Sequence, residues 1–225
     1  MEVLSVTAST LQVLREKIIN GELKPGQKLN ESALSLELGI SRPPLREAFR
    51  LMETDHLVVN VPRKGTFVTE LSVKDFMEVS QAREMIECYT IDLLEASGKR
   101  HLPAVAAALD KALGLPLPLK NVEPAHLADG IRVLLDFHAK LVESSGNSLL
   151  THMYRSISSN LARYQFIYFF LNGAAEHSLA DHKRTLEFIR AGRYDRAREE
   201  LKGHIRYAVE LVKSRISAPA LSRAG

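Results

Sequence analysis

Two sets of side chains in this sequence have the type and spacing to do chemistry. Arg42, Arg46 and Arg50 recur every fourth residue in the run Ser41–Arg50, SRPPLREAFR. On a helix that spacing stacks the guanidinium groups in one stripe, drifting by only about 40° per step. Ser41 can cap the helix start, and Pro43 and Pro44 fit a first turn, where their missing N–H groups would be orphans in any case. Leu45, Ala48, Leu51 and Met52 fall largely on other faces and can form an apolar back. A basic stripe over an apolar back suits insertion into a DNA groove. A solvated surface helix is the plain alternative for the same stripe.

The second set lies in the distal two-thirds of the chain. His138, His182 and His204 fall in three different predicted helices, and a helical bundle can gather such side chains round one ion. Neutral imidazole suits zinc, nickel and similar divalent metals. A packed or surface histidine is the alternative for each. His177, five residues before His182, is a poorer companion. Arg83 can form an ion pair with Glu87 one turn on. No Ser/His/Asp constellation or phosphate-binding loop stands out.

The elements that position the arginine stripe follow from local signals. Ser9 or Thr10 can cap a first helix running to Asn20, with Leu11, Leu14 and Ile18 on one face and Gly21 as the stop; residues 1–8 read as frayed. Pro25-Gly26 marks a turn. Asn30 can cap a short second helix, with Ala33, Leu34 and Leu38 inward and Gly39 as its stop. Only Ile40 then precedes the Ser41 cap, so two helices meet in a tight turn, a helix-turn-helix. Behind the striped helix, Leu57–Val61 and Gly65–Thr69 are β-branched runs joined by Pro62-Arg63-Lys64-Gly65. They predict a hairpin wing whose tip cations, Arg63 and Lys64, can reach phosphates or a minor groove.

The run GELKPGQKLNESALSLELGISRPPLREAFRLMETDHLVVNVPRKGTFV resembles the winged helix-turn-helix of the GntR family of bacterial transcription regulators. The similarity rests on Pro25-Gly26, the stretch from Leu38 to Ala48, and Arg63-Lys64-Gly65. It implies operator binding by a homodimer on double-stranded DNA. Carried over by position, it implies DNA contacts from Ser41, Arg42, Pro43, Pro44 and Arg46, with Lys64 and Gly65 in the wing. Arg50 joins this set from the stripe alone; it lies deeper in the helix and can equally meet a carboxylate of its own domain.

From Ser72, which with Asp75 resembles a capping box, the chain reads as all helix. Helices are expected to about Ser97, from Pro103 to Leu113, from Pro124 through Ser144, from Ser148 to Leu171, from Ala174 to Arg190, and from Tyr194 to about Ser214. Leu115–Leu119 is a proline-broken apolar loop. Tyr164–Leu171, YQFIYFFL, is the most aromatic stretch and calls for burial on several sides.

Arg83 to Glu87, Phe137-His138 followed by Ser145-Gly146-Asn147, and then His182 and His204 resemble the effector-binding domain of the FadR-type branch of GntR regulators. That resemblance implies a ligand pocket in the bundle, often built around a divalent metal, with Arg83 gripping a ligand carboxylate. The metal-binding branch usually carries Asp four residues before the first histidine. Here that position is Leu134, and Asp136 lies about 200° round the helix from His138. Arg132, Arg155, Asn160, Arg163 and Tyr164 are further candidates for the pocket lining.

The expected fold class is mostly α. A winged helix-turn-helix DNA-binding domain occupies 1–71, an all-α effector-binding and dimerisation bundle 72–215, and a disordered tail 216–225. Net charge is only +3. Residues 1–70 carry nine Lys/Arg and nine Asp/Glu, so placement rather than bulk charge must attract DNA. No apolar run can span a membrane, and Cys88 is the only cysteine, which points to a cytoplasmic protein without disulfides. The expectation is a ligand-responsive, non-enzymatic DNA-binding regulator that senses a small organic acid. A metal-dependent enzyme or metal sensor built on the three histidines is the alternative.

Overall fold

Capping chemistry sets the first helices, and it departs from expectation at two places. The structure, a computed structural model, describes residues 5–117, 124–169 and 173–217, with side chains described except at 124–128, 166–169 and 217. Helix α1 (Val6–Ile19) begins a turn earlier than the sequence predicts, because Ser5 caps it by accepting the Ala8 N–H at 3.2 Å. Thr10, expected as a cap, sits inside the helix and donates its hydroxyl to the Val6 carbonyl at 2.7 Å. Helix α2 (Glu31–Leu38) is capped by Asn30, whose Oδ1 accepts the N–H groups of Ser32 and Ala33 at 3.0 and 3.1 Å. Gly39 ends it in the left-handed conformation, φ 63°, where a side chain would be strained.

Helix α3 (Arg42–Thr54) follows Ser41, yet the Ser41 side chain makes no capping hydrogen bond. A cap hydroxyl accepts from the second or third helical N–H. Those positions are Pro43 and Pro44, which have none to give.

The apolar back of α3 is Leu45, Ala48, Phe49 and Met52, all buried with Leu14, Ile18 and Leu34. Leu51 is 39% exposed and Ala33 is exposed, so neither packs as predicted. Strands β1 (Val58–Val61) and β2 (Gly65–Val68) pair antiparallel, Val58 opposite Val68 and Val61 opposite Gly65. The segment before α2 adds an edge. Leu29 N–H donates to the Thr66 carbonyl at 2.8 Å, Val68 N–H to the Gln27 carbonyl at 2.9 Å, and Lys28 bridges to Phe67.

Met1–Leu71 forms one compact unit and Ser72–Gly225 the other. The second holds α4 (Val73–Ala96), α5 (Pro103–Leu113), α6 (Pro124–Glu143), α7 (Ser148–Phe169), α8 (Ala174–Arg190) and α9 (Tyr194–Ser217). Ser72 caps α4 through the Asp75 N–H at 3.0 Å, and Asn147 caps α7 through Leu149 and Leu150. Helix α4 lies against α9 and α7, α8 against α9, and α6 against α5 and α7. The molecule is therefore mostly α, a winged helix-turn-helix followed by a helical bundle. Among the described residues, no helix is long and apolar enough to cross a membrane.

Helix α9 carries the chain through Ser217, so residues 216 and 217 are helical rather than tail; residues 218–225 of the expected tail lie outside the described residues. The side chains of the aromatic run after Gln165, and residues 118 and 119 of the Leu115–Leu119 loop, also lie outside the described ones.

Candidate DNA-contacting surface and histidine cluster

Arg42, Arg46 and Arg50 are exposed along α3, and so are Ser41 and Pro43 at its start; Pro44 is half-buried. Each guanidinium has a local partner. Arg42 donates to Ser32 Oγ at 3.0 Å and Arg46 Nε to Glu31 at 2.9 Å, both on α2. Arg50 pairs with Glu47 of its own helix at 3.1 Å, the carboxylate alternative raised for it. Arg46 and Arg50 side chains are 63% and 78% exposed. Ion pairs in that much water are worth about 0–1 kcal/mol and open readily to a phosphate or a base edge. Ser41, left uncapped by the two prolines, keeps both its donor and its acceptor capacity.

At the wing, Arg63 and Lys64 are exposed at the hairpin tip and Arg63 adopts φ 63°. Gly65, at φ 107°, faces Lys28, whose Cε would lie 3.2 Å from a Cβ placed there. Lys28 thus adds a cation beside the wing that the sequence alone did not reveal, because it comes from the segment before α2.

In the bundle, α4, α6, α8 and α9 each contribute one arm of a buried cluster. His138, His182 and His204 present ring nitrogens that all lie within 4.8 Å of one another. Their rings pack face and edge. His138 and His204 centroids are 5.2 Å apart, and His182 stacks on Phe137 at 4.2 Å.

Arg83 enters from α4. Its Nε donates to Glu87 at 2.7 Å, and its Nη2 lies 2.6 Å from His138 Nε2 and 3.4 Å from His204 Nε2. Both uses weighed for Arg83 concern a carboxylate; the structure places Glu87 there and adds two imidazoles. Behind the rings stand two buried acids. Glu87 accepts from His138 Nδ1 at 2.8 Å and from the Tyr154 hydroxyl; Asp181 faces His204 Nδ1 at 3.2 Å and pairs with Arg184.

Burial, reinforced by the Arg83 charge, holds the pKa of His138 well below its ordinary value. Burial and the neighbouring histidines do the same for His182. His204 is also lowered by burial, against the pull of Asp181. All three are thus neutral imidazoles, the form that binds metals. With Nδ1–H held by a carboxylate, His138 and His204 carry their lone pairs on Nε2. His182 Nδ1 is buried with no hydrogen-bond partner among the described residues. This donor set suits zinc or nickel. Leu134, 1% exposed, supplies no carboxylate. A cleft of about 370 Å³ between α8 and α9, lined by His177, Asp181, Arg184 and His204, reaches the cluster from outside.

The remaining pocket candidates separate. Asn160 and Arg163 are buried on α7. Tyr164 is buried, but its hydroxyl accepts from the Ser72 N–H and donates to the Ser72 carbonyl at 3.1 and 3.2 Å, and its ring packs on Phe76. That role at the start of α4, rather than an effector, accounts for its polar atom. Arg132 and Arg155 are exposed and pair with Asp129 and Glu143. His177 is half-exposed, 3.5 Å from Asp181.

Residues 7–68 match the family of bacterial regulatory proteins termed gntR, and residues 78–207 match the FCD domain. This chain is a GntR-family transcription regulator with an FCD effector-binding domain. It is 28% identical over 204 residues to the HTH-type transcriptional regulator YdhC of Bacillus subtilis (strain 168), covering 89% of this chain and 88% of that one. It is 25% identical to the HTH-type transcriptional repressor GlaR of Escherichia coli (strain K12), covering 89% and 92%. A GntR regulator from Rhodococcus sp. RHA1 shares the fold with TM-score 0.75 at 24% identity, covering 94% of this chain and 99% of that one. In this GntR regulator, Glu31, Tyr154 and Asp181 join the two sites without having been expected from the sequence. A carboxylate at Glu31, just inside a cap facing the stripe, was a findable signal; Tyr154 and Asp181 had none.

Proposed function

We propose that this protein is a ligand-responsive regulator of the FadR-type branch that binds a pseudo-palindromic operator as a homodimer and senses a small organic acid in its bundle. Ser41, Arg42, Pro43, Pro44 and Arg46 meet the major groove. Arg63, Lys64 and Gly65, joined by Lys28, meet the flanking backbone or minor groove. Arg50, deeper in the helix, contacts the phosphate backbone. Arg83 and Asn160 serve the effector, and His138, His182 and His204 hold a divalent metal such as zinc or nickel. When bound, that metal supplies a Lewis-acidic anchor for an anionic ligand. The effector acts by binding one arrangement of the two DNA heads of the dimer better than another.

The observation that carries this reading is the exposed, uncapped start of α3, Ser41 with Arg42 and Arg46, beside a basic wing tip. The metal-dependent enzyme reading leaves that surface without a purpose, and the relatives above are named as regulators. The test is a gel-shift titration on operator DNA selected from a random pool. A two-fold symmetric consensus, a dimer by light scattering, and release or tightening by a carboxylic acid support the proposal. An asymmetric consensus bound by a monomer, or no response to any of a panel of carboxylic acids with and without zinc, refutes it.

A further inference from the structure

The two Nε2 lone pairs that a metal would use on His138 and His204 are already met by a cation. Arg83 Nη2 lies 2.6 and 3.4 Å from them, and a guanidinium carries only donors. We propose that Arg83 is the resident cation of the histidine cluster and competes directly with a divalent metal for His138 and His204, so that its position sets how tightly the domain holds metal.

The surroundings fit a site balanced for one positive charge rather than three. Glu87, 0% exposed, is shared between Arg83 Nε at 2.7 Å and His138 Nδ1 at 2.8 Å. Leu134, on the turn of α6 before His138, brings no second anion. Asp181 is turned to the far side of His204 and is bonded to Arg184. A dication placed on the Nε2 atoms would stand beside the guanidinium in a buried site, where like charges repel strongly. Metal entry therefore requires Arg83 to withdraw from the imidazoles. This inference rests on the metal-holding role proposed for the histidines.

Zinc alone is the probe, titrated in competition with a chromophoric chelator into the full chain stripped of metal. Removing Arg83 by itself would leave Glu87 buried without its counter-charge, so Arg83→Met is combined with Glu87→Gln. That combination stays neutral and keeps an acceptor for His138 Nδ1–H. The double variant should bind zinc at least about tenfold more tightly than Glu87→Gln alone, a difference of about 1.4 kcal/mol. Equal or weaker binding in the double variant overturns the proposal. If zinc binds Glu87→Gln and the double variant equally well, Arg83 is no competitor but the metal site stands. If zinc binds no variant, both readings fall.

Should the variants not fold, the wild type decides through the NMR resonance of the Arg83 Nε–H. That signal moves on zinc saturation if the guanidinium is displaced, and an unmoved signal at saturation overturns the proposal.

Discussion

Arg46 and Arg83 each pair with a glutamate, but they do so in different media. Arg46 on α3 is 63% exposed and 2.9 Å from Glu31. Arg83 on α4 is 2% exposed and 2.7 Å from Glu87. In water the pair contributes little and exchanges partners freely, so the stripe is available to DNA at small cost. In the bundle each charge depends on the other, because a lone ion there would be uncompensated. The same two residue types thus make a replaceable contact in one unit and a structural constraint in the other. That difference separates a surface pair that can exchange partners at little cost from a buried pair that cannot lose its counter-charge.

Four substitutions test the contrast, taken from the largest effect down. Glu87→Ala leaves the Arg83 guanidinium buried without its carboxylate and should cost the bundle about 3–5 kcal/mol, read from its urea transition in the full chain. A loss below about 1 kcal/mol would mean that Arg83 escapes to solvent. Leu45→Ala hollows the core of the DNA-binding unit, where Leu45 is 0% exposed, and should cost about 2–5 kcal/mol. Its thermal transition should fall while the bundle's holds; a joint shift of both would show that the two units unfold together. Arg46→Ala should leave stability within about 0.5 kcal/mol and weaken operator binding by about 1–3 kcal/mol, with relaxed specificity at one base pair. Unchanged affinity in a gel shift would remove Arg46 from the base-reading set. Glu31→Gln should have the smallest effect. It frees Arg46 and removes an anion near DNA, so affinity should rise severalfold at low salt and the gain should shrink as salt is added. A drop in affinity would mean that Glu31 positions Arg46 for its base.

Much of the first unit was legible because its signals are local. Asn30, Gly39 and the Pro62–Gly65 turn each act within a turn of chain, and their hydrogen bonds appear as expected. The exceptions are also local, but depend on a competition that sequence patterns do not rank. Ser5 displaced Ser9 and Thr10 as the cap of α1, and Pro43 with Pro44 deprived Ser41 of its partners. In the bundle the three histidines were picked out and do converge. Their surroundings were not legible. Tyr164, a pocket candidate by position, is turned to Ser72, 92 residues away in the chain. Asp181, on the α8 turn just before His182, gave no hint that it would support His204 from another helix.

By itself, then, the sequence determined the helices, most of their ends, the hairpin and the arginine stripe, since these depend on neighbours within a few residues. Only the tertiary structure decided what the arginines and histidines touch. Arg83 meets His138 and His204 across 55 and 121 residues of chain, and no local rule reaches that far. Those contacts follow from which faces of α4, α6, α8 and α9 are buried together. Burial then keeps the imidazoles neutral, holds Glu87 to Arg83, and puts a cation on the lone pairs that a metal would need.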